Sequence, residues 1–425
     1  MLNNERYDLS DKLIHFFRSI DPEDGSMPAS LGDWGFNNIE EGGVLQPLFL
    51  LRVCIRYSVL WSTWSFRNGV RTIYGSDPAV CFTDMPLAAF FETSQKRGHK
   101  GEKISPYALF FDKKQMFQNG ARPVIYGLSN ECFYLPSGKD GGPRIIDEKI
   151  LPLSEQYRFV AYNPNAQPSI DWTHEREWRL PNRNSTSFYE KEIKKYGCVE
   201  GPLFVPGMDL TSNLINDIGI IVKSKEEKEQ ILYDILSLIH RKEISPQKYG
   251  YIICYDDIEN IDTIKNHNEQ KKLIELSKIN YNQFLNQNSI LATETIKKIC
   301  DMEKQIDTDT EFAHVDNVGK CWLWMYDFFD KKVQAMLNEG DLKVNKYGKI
   351  LYKPKYISNR RDLGQQENMI EELAKHVKTE LGIECGYMSV AYTGKSYDMD
   401  SLPYFNSQDL SKRLDKLYYN YNDVD

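Results

Sequence analysis

The chain has 425 residues, 41% hydrophobic and 12% aromatic, with a net charge of −8 and a pI near 5.6. The length suits two or three domains, and aromatic residues in both halves exclude a disordered chain. The acidic balance argues against a generally basic surface for nucleic acid, although it is compatible with a local basic groove.

Residues 5–20 read as a helix, with Leu9, Leu13, Ile14, Phe16 and Phe17 near helical spacing. Glu5, Arg6, Asp8, Asp11, Lys12 and Arg18 in this stretch exclude a secretory signal. A Gly/Pro-rich connection covers residues 21–43, and residues 44–66 read as a helix. Arg52 and Arg56 interrupt its apolar run, which favours a buried helix over a membrane span. Val80–Asp84 reads as a short buried strand, and Pro86 opens a helix over Leu87–Thr93. Residues 95–103 read as a polar loop, Tyr107–Phe111 and Pro123–Tyr126 as strands, and residues 136–148 as a Gly/Pro loop. Trp172–Leu180 and Ile218–Val222 read as strands, residues 224–240 as an amphipathic helix, and Tyr251–Tyr255 as a strand.

Composition then shifts. Residues 256–310, rich in Asn, Lys, Glu and Ile, read as a helical linker between a domain over 1–255 and a second over 311–425. In that second domain, His314, Asp316, Trp322, Trp324 and Asp327 form a dense polar-aromatic stretch, and residues 360–367 begin a helix rich in hydrogen-bonding groups. These groups suit either an internal polar network or the binding of a nucleotide or protein partner. The tail from Tyr418 to Asp425 is polar.

The eight cysteines are scattered, with no C-x-x-C pair, and read as free thiols of a reducing cytosol. A cytoplasmic protein without a membrane anchor is therefore expected. Gly394-Lys395-Ser396 fails as the end of a P-loop, because Ser389 stands where the first glycine is needed. H-E-x-x-H, G-x-S-x-G and G-x-G-x-x-G are absent from the sequence. His174 and Glu175 lack a second nearby His, so no metal is expected.

The segment Thr173-His174-Glu175-Arg176-Glu177-Trp178-Arg179 concentrates the chemistry. In an extended strand Trp172, His174, Arg176, Trp178 and Leu180 share one face, and Thr173, Glu175, Glu177 and Arg179 the other. Two carboxylates on one face, roughly 7 Å apart along the strand, would raise at least one pKa unless a cation such as Arg179 offset them. A strand with a charged, solvated outer face accounts for the same alternation.

Four motifs in order resemble the AbiGi-like abortive-infection family, whose fold is akin to ADP-ribosyltransferases. They are Leu13-Ile14-His15-Phe16, Val80-Cys81-Phe82-Thr83-Asp84-Met85-Pro86-Leu87, the run from Tyr107 to Phe111 followed by Gly120–Tyr126, and Glu175-Arg176-Glu177-Trp178-Arg179. Ala108 stands where the family often has Gly, and a longer loop carries His99-Lys100-Gly101. The resemblance covers roughly residues 10–255 and implies an α+β fold, an ADP-ribosyltransferase-like split β-sheet core with helices, joined to a second α/β domain. It implies NAD as substrate, with Glu177 at the nicotinamide-side ribose and Glu175 contacting or deprotonating the acceptor. It places His15, followed by Phe16, at the adenosine-side ribose and Tyr107 against nicotinamide.

Thr83 and Asp84 end a buried strand, where short polar groups line sites, although Asp84 equally suits a helix cap. Arg52 and Arg56 suit a pyrophosphate or an acidic partner at a helix edge. The function implied is an ADP-ribosyltransferase toxin of phage defence acting on a protein, RNA or DNA, with a neutralising antitoxin or phage-derived trigger as partner. A catalytically inactive, antitoxin-like regulator, an NAD glycohydrolase and a nuclease are the competing readings.

Overall fold

The computed structural model describes residues 8–20, 45–67, 70–98, 104–129, 143–183, 207–394, 397–401 and 403–406. These fall into two compact units: residues up to Ile231 with Pro246–Ile279, and Leu232–Ser245 with the residues from Asn280 on. The architecture is mixed α+β. Among the described residues no helix is long and apolar enough to cross a membrane. His99, Lys100 and Gly101 lie outside the described residues, as do most of the loop 136–148 and the tail.

The strands in chain order are β1 Lys12–Phe16, β2 Val59–Trp61, β3 Phe66–Arg67, β4 Val70–Arg71, β5 Ala79–Thr83, β6 Ala108–Asp112, β7 Arg122–Pro123, β8 Ile125–Tyr126 and β9 Phe159–Val160. They continue with β10 Glu177–Pro181, β11 Gly207–Asp209, β12 Ile218–Val222 and β13 Tyr249–Cys254. The first unit is built on a seven-stranded sheet in the order β13-β12-β6-β1-β5-β10-β7. β13 and β12 run parallel, and the other neighbours are antiparallel.

β1 lies at the centre of this sheet, in the segment expected to be helical. It pairs with β6 from Lys12↔Asp112 to Phe16↔Ala108, and with β5 through Ile14↔Thr83. Leu13 and Ile14 point to opposite faces and both are fully buried. A strand covered on both sides reads as a continuous apolar run, and a short run of that kind cannot be told from a helix by periodicity.

The helix expected over 44–66 is also shorter. Helix α1 spans Pro47–Tyr57 and stops at Ser58, which adopts φ 53° and donates its N–H to Ile55 O. The apolar run then continues as β2, paired with β11. Helix α2 covers Leu87–Gly98, so residues 95–98 of the expected loop are helical. Helix α3 covers Lys113–Gln118, and Asp112 caps it by accepting the N–H groups of Lys114 and Gln115. On one sheet face Ile14, Ala108, Phe110, Ile221 and Ile253 pack against Leu87, Phe90 and Phe91 of α2.

Helix α4 Lys225–His240 contains the division between the units, and α5 His267–Leu276 completes the first unit. The second holds α6 Asn282–Leu285, α7 Ser289–Asp309, β14 Gly319–Met325, α8 Lys331–Glu339, β15 Leu342–Val344, β16 Ile350–Tyr352, α9 Leu363–Leu381, β17 Cys385–Ala391 and β18 Phe405–Asn406. Its sheet order is β15-β16-β14-β17-β18, all antiparallel. From β14 to β17 the chain therefore follows a split β-α-β-β-α-β path of the ferredoxin-like kind.

Part of the span expected to be a linker belongs to this core: Ala292, Ile299 and Ile306 of α7 are buried in it. The buried Glu303 accepts hydrogen bonds from Tyr352 Oη at 2.8 Å, Ile357 N at 2.8 Å and Tyr356 N. Arg361 is 2% exposed and donates to Asp307 and to the carbonyls of Thr310 and Glu311. Asp362 caps α9 and accepts the N–H groups of Asp316 and Asn317. Arg361 and Asp362 thus belong to an internal hydrogen-bond network.

In the first unit, Gly219 pairs with Tyr251 across β12 and β13, and a Cβ at Gly219 would lie 2.1 Å from Tyr251 Cζ. Gly219→Ala is expected to lower stability by about 1–3 kcal/mol through overpacking. Shrinking the opposing ring with Tyr251→Leu should recover part of that loss. Urea midpoints of the two single variants and the double variant measure the coupling, and strict additivity would show that the contact does not limit packing.

Candidate functional site

The segment 172–180 is not one strand. Thr173–Glu175 form a short 3-10 turn, Arg176 adopts the left-handed conformation at φ 47°, and only Glu177–Pro181 are extended as β10. The expected face shared by Glu175 and Glu177 therefore does not exist, because the turn between them breaks the alternation. Glu175 instead has His174 Nε2 3.3 Å from its carboxylate.

The turn is stitched to the end of β5. Thr83 Oγ1 donates to Glu175 O at 2.6 Å, and the Asp84 N–H donates to Arg176 O at 3.0 Å. Arg176 Nη1 donates to Asp8 O at 2.6 Å. The Asp84 carboxylate is 2.6 Å from Lys113 Nζ, and this ammonium lies 5.8 Å from the centre of the Trp178 ring.

Glu177 opens β10 level with Thr83. Its carboxylate is gripped by Arg179, with Nε at 2.8 Å from one oxygen and Nη2 at 3.1 Å from the other. Arg179 Nη1 also donates to the carbonyls of Tyr157 and Phe159, at 2.7 and 3.2 Å. Arg179 is 4% exposed, whereas the Glu177 side chain is 19% exposed. Burial disfavours the Arg179 charge, yet the Glu177 carboxylate and its neighbours hold the guanidinium above its ordinary pKa.

The Glu177 N–H donates to Tyr126 Oη at 3.1 Å, and its carbonyl accepts the Val124 N–H at 3.0 Å. Burial, reinforced by the Glu177 charge, pushes the Cys81 thiol far up, which keeps it protonated and unsuited to be a nucleophile. Burial likewise raises the Tyr126 phenol.

The structure does not gather the remaining expected residues around Glu177. Directly paired residues share a sheet face, so Glu177, Thr83, Ile14 and Phe110 lie on one side. His15 is one residue out of phase and lies on the other, where its ring meets Phe17 and Phe82 at 5.0 and 6.0 Å. Its Nδ1 donates to Cys81 O at 2.8 Å. The expected pairing of His15 with Glu177 across one ligand therefore fails for a reason of sheet geometry.

Phe16 is part of the core against Phe90. Tyr107 donates to Glu227 at 2.8 Å and precedes β6, which β1 and β5 separate from β10. Arg52 is 1% exposed on α1 and donates to Gln230 at 3.1 Å. Sequence reasoning missed Tyr126 and Lys113 as neighbours of the site. Tyr126 ends the P-V-I-Y run, which was a usable signal; nothing local marked Lys113.

A cavity of about 520 Å³ lies towards the opposite end of β10, lined by Arg122, Glu155, Tyr157, Arg158, Leu180 and Arg183 among others. Glu177 does not line it. What the arrangement around Glu177 offers is one carboxylate in a fixed plane, with a lone pair left on each oxygen and partial access from solvent. It suits stabilising a cation or accepting hydroxyl hydrogen bonds.

Residues 285–421 match the model of a family described as a protein of unknown function (DUF4427). No curated protein and no solved structure matches the chain. The family match falls in the second unit and does not reach the Glu177 site.

His15 makes a pH prediction. Burial, the largest influence, lowers its pKa to about 4 from the ordinary 6.5. Above pH 6.5 neither folded nor unfolded chain protonates it; between 6.5 and 4 only the unfolded chain does, so stability falls with pH across that window. His240, also lowered to about 4 by burial, adds to the same fall. His15→Gln should lose stability less steeply between these pH values, as read from urea midpoints. An unchanged slope would remove His15 as a contributor.

Proposed function

We propose that the first unit is an NAD-dependent ADP-ribosyltransferase of the abortive-infection kind that its motifs resemble, with Glu177 as the catalytic carboxylate. The observation that carries this reading is the Glu177 side chain itself: fixed in both oxygens by Arg179, level with Thr83, and still partly open to solvent. The reaction breaks the bond between ribose C1′ and the nicotinamide nitrogen. The bonding electrons leave with nicotinamide, and positive charge grows on the ribose, as in glycoside cleavage. A carboxylate held in place stabilises that charge and accepts the 2′-hydroxyl hydrogen bond. A nucleophilic atom of a protein or nucleic-acid acceptor then bonds to C1′ and gives up its proton; with water as acceptor, the same site is an NAD glycohydrolase. On this reading the site consists of Glu177, Arg179, Thr83 and Tyr126, without His15, Tyr107 or Arg52.

A second reading, a binding or antitoxin-like regulator that keeps the fold without turnover, is favoured by the position of His15 on the opposite sheet face. Incubation of the full chain with labelled NAD separates the readings. Transfer of label to protein or nucleic acid supports the transferase, free ADP-ribose the hydrolase, and unchanged NAD the regulator. Glu177→Gln is expected to lower NAD turnover at least ~100-fold, the scale seen when one transition-state contact is removed. Arg179→Lys should lower it as well, because an ammonium cannot hold both oxygens. Undiminished turnover in the Gln variant would exclude Glu177.

A further inference from the structure

Among the described residues, the second unit's helices pack on one face of its sheet. Cys321, Leu323 and Met325 of β14 and Ile350 and Tyr352 of β16 point to that side. The alternate residues point away, and Trp322, Trp324, Leu351, Met388 and Val390 form a separate cluster there. Lysines frame these rings. Lys349 Nζ lies 3.4 Å from the centre of the Trp324 ring, and Lys320 alternates with Trp322 along β14. Lys343 pairs with Leu351 and is exposed. None of the five strands contains an Asp or Glu.

Among the described residues, a short segment lies over this face. Tyr397 and Met399 pack on the cluster, Lys320 Nζ donates to Tyr397 O at 3.1 Å and sits 4.6 Å from its ring, and Asn345 Nδ2 donates to Met399 O at 2.9 Å. Asp400 accepts the Lys346 N–H at 2.5 Å. Beneath this strap Trp322 and Trp324 are 6% and 2% exposed. The strap sets the Tyr397 ring on the cluster and ties the Asp400 carboxylate to the Lys346 N–H, beside a face whose strands supply rings and cations.

We propose that this sheet face is a platform for single-stranded nucleic acid and that Tyr397–Ser401 covers it as a displaceable mimic. Aromatic rings stack any base, and lysines meet the phosphates that follow each base. Four-stranded sheets that bind single strands stack bases on aromatic side chains of one face; here β14 supplies Trp322 and Trp324, and β16 places Leu351 beside them. The strap's ring, Tyr397, and its acid, Asp400, stand in for a base and a phosphate. Charge complementarity selects nucleic acid over an apolar helix, which would gain nothing from a face framed by lysines.

The test uses the full chain and labelled oligo-dT and oligo-U of about twelve nucleotides, titrated by fluorescence anisotropy at about 50 and about 200 mM salt. A strap variant, Tyr397→Ala with Asp400→Asn, should bind roughly tenfold tighter than the parent, on the scale of one stacked base. Its affinity should fall at the higher salt. Adding Lys343→Glu, a change at an exposed position, should reverse the gain. Circular dichroism establishes that each variant is folded. A folded strap variant that binds no better than the parent overturns the proposal, as does an unchanged affinity in the Lys343→Glu background. Equal binding of polyglutamate would show a general anion surface and overturn the assignment to nucleic acid.

Discussion

The buried guanidinium of Arg179 is the interaction on which the first unit's candidate site depends. It bridges β10 to β9 and the residues just before it by donating to the Phe159 and Tyr157 carbonyls, and it fixes the Glu177 carboxylate with its remaining donors. A guanidinium is suited to this because its planar fork engages a carboxylate and backbone carbonyls together. Removing either partner would leave the other charge poorly compensated, a loss of about 3–5 kcal/mol for a fully buried pair. The partial exposure of Glu177 places this pair below that range. The cation thus has a structural duty independent of catalysis, which is why its presence alone does not decide between an enzyme and a regulator.

The turn before β10 shows how much of this site depends on tertiary partners. Arg176 holds a left-handed conformation that costs a non-glycine residue about 1 kcal/mol or more. Its carbonyl accepts from Asp84, its side chain donates to Asp8, and the preceding carbonyl accepts from Thr83. Thr83 and Asp84 therefore act first as the clasp that makes the turn possible. Because the clasp comes from residues some ninety positions earlier, alternation read along residues 172–180 could not detect the break. Only from Glu177 onward does a period of two describe the chain.

Legibility followed local information. Ile218–Val222 was readable because an all-apolar, β-rich run bounded by polar residues matches a buried strand, and its bounds are those observed. Leu13–Phe17 carries a similar apolar run, yet its local spacing suits a helix equally well, and the partners β5 and β6 that make it a strand lie far along the chain. The end of α1 was hidden for a related reason: Ser58 turns a continuous apolar stretch without a glycine or proline to mark it. The motif residues fall on neighbouring strands of one sheet, but on different faces of it. His15 and Glu177 belong to strands separated by β5, and their separation across the sheet rests on a register of one residue.

The same alternation explains why bulk charge says little about the second unit. Helix α9 carries Glu367, Glu371, Glu372 and Glu380, whereas the five sheet strands carry no acid. Net charge averages over these regions, but a ligand meets one face at a time. The dense stretch at residues 314–327 is likewise divided by structure: His314 and Asp316 are exposed before β14, while Trp322 and Trp324 are set side by side on the sheet face opposite helices α7, α8 and α9. Alternate residues Cys321, Leu323 and Met325 make the core that holds those rings in place. One strand therefore supplies stability on one side and chemical character on the other, and a chain of net negative charge can still present a face of rings and lysines.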